Sequence, residues 1–373
     1  MRSVWPKKSW KFFEKNRIPF GCNRSRKLFE TPILPQPLRD GIGSVSKIRW
    51  RRIDVSDSKF EMLRRIYRKC VPLPIRVYFE RARNKYGEKV LIYRINRYYE
   101  GHQEEKRLLQ TELDFINRVK SIQMIPYPFI FEYEPSKIGV YADSVTGFPY
   151  VLHRERRIYF PSKSTPDQVR RMFNSLLLEQ HVSSPHRYFE DGFYPTEDDV
   201  FLDIGAAEGL ISLEWVETVR AVILFEPDPI WREPLALTFA PWKEKVTILS
   251  KAASSFDQDG CQTVDSVLKH QNGPFLLKLD VEGEEVEVLK GASETLLKPD
   301  TRVVCCTYHR EDDADNFLRF FSERGYRTEI PRGYLLPTVK AMQNPPYFRR
   351  GVIRAWKTNP NEGQTHQNQA SEA

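Results

Sequence analysis

The 373-residue chain has no apolar run near the roughly 20 residues that a membrane-spanning helix needs, so no helical span is expected. Its N-terminus sets Arg2, Lys7 and Lys8 among Trp5, Trp10, Phe12 and Phe13, without the continuous apolar stretch of a signal peptide. Cysteine is scarce. The five present (Cys22, Cys70, Cys261, Cys305, Cys306) form no CxxC, are odd in number and include an adjacent pair inside an apolar run. They read as reduced thiols rather than disulfides or metal ligands, which points to a cytoplasmic protein with no metal site. The chain is otherwise globular in composition, with 40% apolar, 13% aromatic and 29% charged residues, and long enough for two or three domains.

Charge is unevenly spread. Residues 1–110 hold 28 Lys and Arg against 11 Asp and Glu, while the remaining 263 residues hold 30 against 39. A basic arm before an acidic body implies a possible anionic partner, either nucleic acid, a membrane surface or an acidic polymer. Part of the cluster has a simpler origin. In residues 51–70, Phe60, Leu63, Ile66 and Tyr67 recur at helical spacing among Arg64, Arg65, Arg68 and Lys69, as in an amphipathic helix with a basic face.

The pattern predicts five segments. Residues 1–45, with five prolines, read as irregular, and residues 46–127 as a basic helical region that includes one amphipathic helix over 101–121. Residues 128–197 read as a lead-in. It comprises a small antiparallel sheet built from FIFEYEP, GVYADS, GFPYVLH and RRIYFP, then a helix with Thr165 as N-cap and Pro166 as first residue, ending near His181. From 198 to 357 apolar strands (VFLDIG, AVILFEP, KVTILS, FLLKLDV, TRVVCCTYH) alternate with helical patterns, which specifies a parallel sheet covered on both faces. Gly325 fits a C-cap, YRTEIP and GVIRAWK fit further strands, and residues 358–373 read as a disordered tail.

In such a sheet ligands sit beyond the carboxyl ends of the strands, where the chemistry-bearing residues should lie. The first strand ends in Asp203-Ile204-Gly205-Ala206-Ala207-Glu208-Gly209, which departs from the G-x-G-x-x-G dinucleotide fingerprint. An acid followed by small residues fits an adenosylmethionine site, with Asp203 toward the cationic methionine moiety. The second strand ends in Glu226-Pro227-Asp228, where Glu226 is placed to accept a ribose diol. In the fourth, Lys278, Asp280 and Glu282 alternate, so one face of the sheet should carry all three; an ion pair of Lys278 with Asp280 or Glu282 that merely closes the strand end fits the same pattern. The fifth ends in Thr307-Tyr308-His309, and His309 beside Asp280 is a candidate base.

In order and spacing, DIGAAEG, LFEPDP, TVDSVL and KLDVEGEEVEVLKGA resemble the FkbM family of S-adenosylmethionine-dependent methyltransferases. Upstream, Tyr159-Phe160-Pro161 and the stretch Glu179 to Tyr188 resemble a branch associated with polysaccharide and glycan gene clusters. Thr307 stands where many relatives carry a glutamate, so no role is transferred to it. The resemblance implies an α/β, Rossmann-like class I methyltransferase fold, a mostly parallel doubly wound sheet with an N-terminal α+β extension. It also implies S-adenosyl-L-methionine as cofactor and O-methylation of a sugar, polysaccharide or natural-product hydroxyl. Asp203, Gly205, Ala206, Glu208, Gly209, Glu226 and Asp228 would hold the cofactor. Asp280 and His309 would be the candidate bases, and Lys278 and Glu282 would orient Asp280 or the acceptor. A nucleic-acid methyltransferase is the rival class, because Asn344-Pro345-Pro346-Tyr347 matches a motif that holds exocyclic amines. An inactive binding protein on a methyltransferase fold and a nicotinamide oxidoreductase are also compatible with the strand-end acids.

Overall fold

The computed structural model describes residues 73–190, 192–339 and 343–357. The sequence expectations for 1–45, for the basic helix within 51–70 and for the tail 358–373 fall outside the described residues. The chain divides into two compact units, residues 5–87 and residues 88–373 with the first four residues. Of the former, the described part is the first half of helix α1 (Leu73–Glu100). In the latter, Leu91, Ile92, Ile95 and Tyr99 recur along α1 and are buried with Leu113, Phe115 and Ile116. Residues 101–121 form two helices rather than the single one expected, α2 (Gln103–Leu108) and α3 (Gln110–Val119). The break at Leu109 lets it enter the core at 4% exposure while its neighbour Leu108 stays 69% exposed.

The lead-in is a three-stranded antiparallel sheet of β1 (Tyr141–Ala142), β2 (Pro149–His153) and β3 (Arg156–Tyr159). FIFEYEP is not part of it. Pro128 and Pro135 each open a short 3-10 turn (Pro128–Glu132, Pro135–Lys137), since proline has no N–H to give a ladder, and the Phe129 ring stacks on His181 at 4.0 Å. Helix α4 (Pro166–Glu179) starts as expected. Thr165 and Gln168 form a reciprocal capping box with Pro166 in the first turn, which satisfies the free amides there.

The main sheet contains β4 (Val200–Ile204), β5 (Ala221–Phe225), β6 (Val246–Leu249), β9 (Phe275–Leu279), β10 (Thr301–Cys306), β11 (Arg327–Glu329) and β12 (Val352–Trp356), in the order β11-β12-β10-β9-β4-β5-β6. Between β6 and β9 lies an unanticipated two-stranded pair, β7 (Ala252–Ala253) and β8 (Cys261–Gln262). The pairs among β6, β5, β4, β9 and β10 are parallel, and β12 runs antiparallel to both β10 and β11. Helices α5 (Leu210–Trp215), α6 (Arg232–Thr238), α7 (Val264–Val267), α8 (Glu285–Lys290) and α9 (Asp313–Ser322) make the crossovers. This is a Rossmann-like α/β fold, and its parallel strands form the helix-covered sheet that the alternating pattern implied.

Alternation of side chains along the buried strands splits the core in two. Val200, Leu202, Ile204, Phe275, Leu277 and Leu279 belong to one layer, and Phe201 and Leu276 to the other. Each such side chain contributes about 2 kcal/mol of apolar burial. Asp203 and Lys278 share parity with Phe201 and Leu276, so they emerge on the face that α4, through Val169 and Phe173, and the Tyr188–Phe189 segment cover. The lead-in therefore roofs the strand ends.

Candidate active site

A cleft opens at the carboxyl ends of β4 and β9. The helix α4 contributes Leu176 and Glu179, its C-cap adds Gln180, and the roof adds Tyr188. The strand ends and the loop after β4 supply Asp203, Gly205, Ala206, Ala207, Glu208, Lys278 and Asp280. Six of the sequence-expected residues thus line it: Asp203, Gly205, Ala206, Glu208, Lys278 and Asp280. Gly209, Glu226, Asp228, Glu282 and His309 lie outside its lining.

Asp203 and Lys278 are register partners on adjacent strands. The Lys278 Nζ lies 2.9 Å from Asp203 Oδ1 and donates to the Gly205 carbonyl at 2.7 Å, while Ser212 Oγ donates to Asp203 Oδ2 at 2.8 Å. The ammonium thus pairs with an acid from the neighbouring strand, not with Asp280 or Glu282 on its own. Burial alone would strip the proton from Lys278, but the charges of Asp203 and Asp280 outweigh it and the ammonium stays charged. Both Asp203 oxygens are thus engaged by the protein, Oδ1 in the ion pair and Oδ2 in the hydrogen bond.

Asp280 receives Tyr188 Oη at 2.8 Å on Oδ2 and Tyr308 Oη at 3.4 Å on Oδ1. Burial would raise its carboxyl, yet Lys278, His309, His186 and the Tyr188 hydrogen bond together hold it at about 2. His309 is 1% exposed, with Nε2 3.5 Å from Asp280 Oδ1 and Nδ1 2.8 Å from Glu285 Oε1. Burial opposes its protonation, but Glu285, Asp280 and Glu282 prevail and raise it to about 9. Glu282 does not share the Lys278 and Asp280 side. The strand ends at Leu279, Glu282 turns to φ 56°, and its side chain is 70% exposed, 3.9 Å from His309. Alternation holds only while the chain remains a strand.

The small residues after β4 answer first to the protein. Gly205 has φ +80°, and a Cβ there would lie 1.9 Å from the Asp280 carbonyl oxygen. At Gly209, with φ +76°, it would lie 2.7 Å from the Phe239 ring. Glu208 is buried, and burial pushes its carboxyl up to about 7 against the backbone amides that favour its charge. Glu226 accepts the Ala207 amide on Oε2 and the Asp228 amide on Oε1, both at 2.8 Å, and burial likewise takes it to about 7. Asp228 is an N-cap, accepting from Ile230 N at 3.0 Å.

The strand-end motifs do not reveal four members of this neighbourhood. Glu179 and Tyr188 lie in the lead-in, and Ser212 is one turn into α5. Glu285 holds His309 and accepts the Val281 amide at 3.1 Å, although it reads as an ordinary first-turn acid of α8. Two sets of three ligating side chains gather here, His186 with Asp280 and Cys306, and Asp280 with Glu285 and His309. Tyr188 Oη lies 3.8 Å from Cys306 Sγ of the first, and the His309 ring lies between the acids of the second. Tyr347 of Asn344-Pro345-Pro346-Tyr347 is buried with α1 and α3, and Tyr99 donates to the Pro346 carbonyl. That motif is a packing element away from the cleft.

No curated protein matches the chain. Among solved structures, similar ones include methyltransferase FkbM from Methylobacillus flagellatus KT, 18% identical over 50% of this chain and 54% of that one, with a TM-score of 0.36. An rRNA methylase from Streptococcus thermophilus is 11% identical over 44% and 90%, with a TM-score of 0.31. A putative methyltransferase from Streptococcus mutans in complex with SAH is 12% identical over 43% and 89%, with a TM-score of 0.28. The chain therefore spans about half the length of the FkbM structure. Residues 257–328 match the model described as the Methyltransferase FkbM domain. That matched segment carries Lys278, Asp280, Glu285 and His309.

Proposed function

We propose that the protein is a cytoplasmic S-adenosyl-L-methionine-dependent O-methyltransferase whose acceptor is a hydroxyl of a sugar, polysaccharide or related natural product. The observation that carries this reading is the cleft itself. It lies at the carboxyl ends of β4 and β9, beside an amide-bearing turn, and is lined by Glu179, Asp203, Glu208 and Asp280. Its donor set fits a cofactor with a cationic methionine half and a ribose diol. The loop Gly205–Gly209 would hold the cofactor, with Glu226 at the ribose and Asp228 fixing the turn beside it. When bound, S-adenosylmethionine supplies a methyl group on a sulfonium.

Asp280 is the group assigned to the acceptor. Transfer to a hydroxyl makes its proton strongly acidic only as the new C–O bond forms, so even a weakly basic carboxylate suffices to take it. Tyr188 and Lys278 orient Asp280 and hold its charge. His309 is already protonated between Glu285 and Asp280 and acts as a positioning residue. Glu282 remains at the rim.

An acidic cleft whose lining holds one ammonium, itself paired with Asp203, favours a neutral polyol over a phosphate backbone. Any anionic partner belongs to the basic residues 1–110. The test is labelled methyl transfer from S-adenosylmethionine to parallel glycan and RNA extracts. Label stable on glycan is expected, and label on RNA alone would overturn the acceptor class.

A further inference from the structure

Asp203 is the acid the sequence aims at the methionine half of the cofactor, and the structure engages it elsewhere, with Lys278 and Ser212. Among the carboxylates lining the cleft, Asp280 is held by Tyr188 and Glu208 by backbone amides. Glu179 has no hydrogen-bond or ion-pair partner among the described residues, though it shares the cleft with all three. It is also well placed to be held still. It closes α4, whose start is fixed by the Thr165 capping box, and the next residue, Gln180, accepts the Tyr188 amide at 3.2 Å.

Resting on the reading that this cleft binds S-adenosylmethionine, we infer that Glu179 supplies the counter-charge to the cationic methionine half of the cofactor. A half-buried acid without a partner, set among other acids, disfavours its own ionised form, and a cation entering beside it reverses that balance. The charged groups that face Glu179 are Asp280 and Lys278 from β9, Glu208 from the loop after β4, and Glu282 beyond β9. Burial first, then Asp280 and Glu208, push its carboxyl well above the ordinary range. An entering cation therefore relieves the crowding of acids around Glu179 and favours its charged form. The acid that answers the cofactor comes from the roof and not from the sheet.

Calorimetry on the full chain tests this with three probes: S-adenosylmethionine, S-adenosylhomocysteine, and 5′-methylthioadenosine, which keeps the nucleoside and has no cation. The preference of wild type for S-adenosylmethionine over methylthioadenosine should grow as pH rises. Glu179→Gln should weaken S-adenosylmethionine roughly 10- to 100-fold, leave methylthioadenosine unchanged and abolish the pH-dependent preference. Glu179→Asp should retain that pH dependence, which guards against a variant that merely misfolds. Equal weakening of all three probes in Glu179→Gln, or no weakening of any, overturns the assignment. Wild type that binds none of the probes would instead overturn the cofactor reading itself.

Discussion

His309 and Glu285 meet 2.8 Å apart, ring Nδ1 against carboxylate Oε1, with each side chain 1% exposed. The histidine joins a helix start to a strand end through a buried charge. Because its folded pKa, about 9, lies above the unfolded value of 6.5, the pair's contribution is full below pH 6.5 and fades as pH rises through 9. Wild type should lose on the order of 2 to 3 kcal/mol across that window relative to His309→Gln. Chemical denaturation at several pH values measures the difference, and parallel profiles for the two proteins would rule out a stabilising imidazolium.

Removing one partner of the other buried pair should be expensive. Asp203→Asn leaves the Lys278 ammonium without its counter-charge and should cost about 3 to 5 kcal/mol. The double variant Asp203→Asn with Lys278→Met should recover much of it, since no charge is then stranded. Thermal melts of the single and double variants settle the point, and equal melting temperatures for wild type and Asp203→Asn would contradict it.

Glu226 yields a binding prediction. Glu226→Ala should weaken S-adenosylhomocysteine and methylthioadenosine alike by about 1.5 to 3 kcal/mol, because both carry the ribose. With a folded carboxyl at about 7, affinity for either should tighten as pH rises through neutrality in wild type and lose that dependence in the variant. Unaltered affinity in a folded variant would remove Glu226 from the ribose.

Chemistry and binding should separate at Asp280. Asp280→Asn is expected to lower turnover by roughly 10² to 10⁴ with S-adenosylhomocysteine affinity nearly intact. Tyr188→Phe, which frees one Asp280 oxygen, should give a smaller loss in the same direction. The assay is methyl transfer to the glycan fraction that wild type labels, and near-normal turnover in Asp280→Asn would leave the reaction to proximity alone.

The sheet is legible in the sequence because its parallel strands are short apolar runs ending in turns, and Asp203, Glu226 and Asp280 can be placed from that rule alone. Partnerships across the fold are not. Tyr188 reaches Asp280 over 92 residues of chain, and the Asp203 to Lys278 pair depends on which strands become neighbours, a fact no local pattern carries. Glu282 departs from its expected side because alternation does not extend past Leu279, where the strand stops. FIFEYEP alternates like a strand, but its flanking prolines and the Phe129 stack on His181 decide otherwise. Glu179 opens the Glu179 to Tyr188 stretch, but nothing in that stretch shows that it lacks a partner where the other acids lining the cleft have one.

Gly205 stands between the turn proposed to hold the cofactor and Asp280. Its Cα faces the Asp280 carbonyl with no room for a methyl group, its own carbonyl takes the Lys278 ammonium, and its amide donates to Phe225 O at 2.9 Å. The spacing between that turn and Asp280 is thus gauged by a hydrogen atom where any other residue would put carbon. Gly205→Ala would push the two apart, and in-line transfer tolerates little such misalignment. Homologous sequences that trade acceptors by reshaping the roof should still keep this position as glycine.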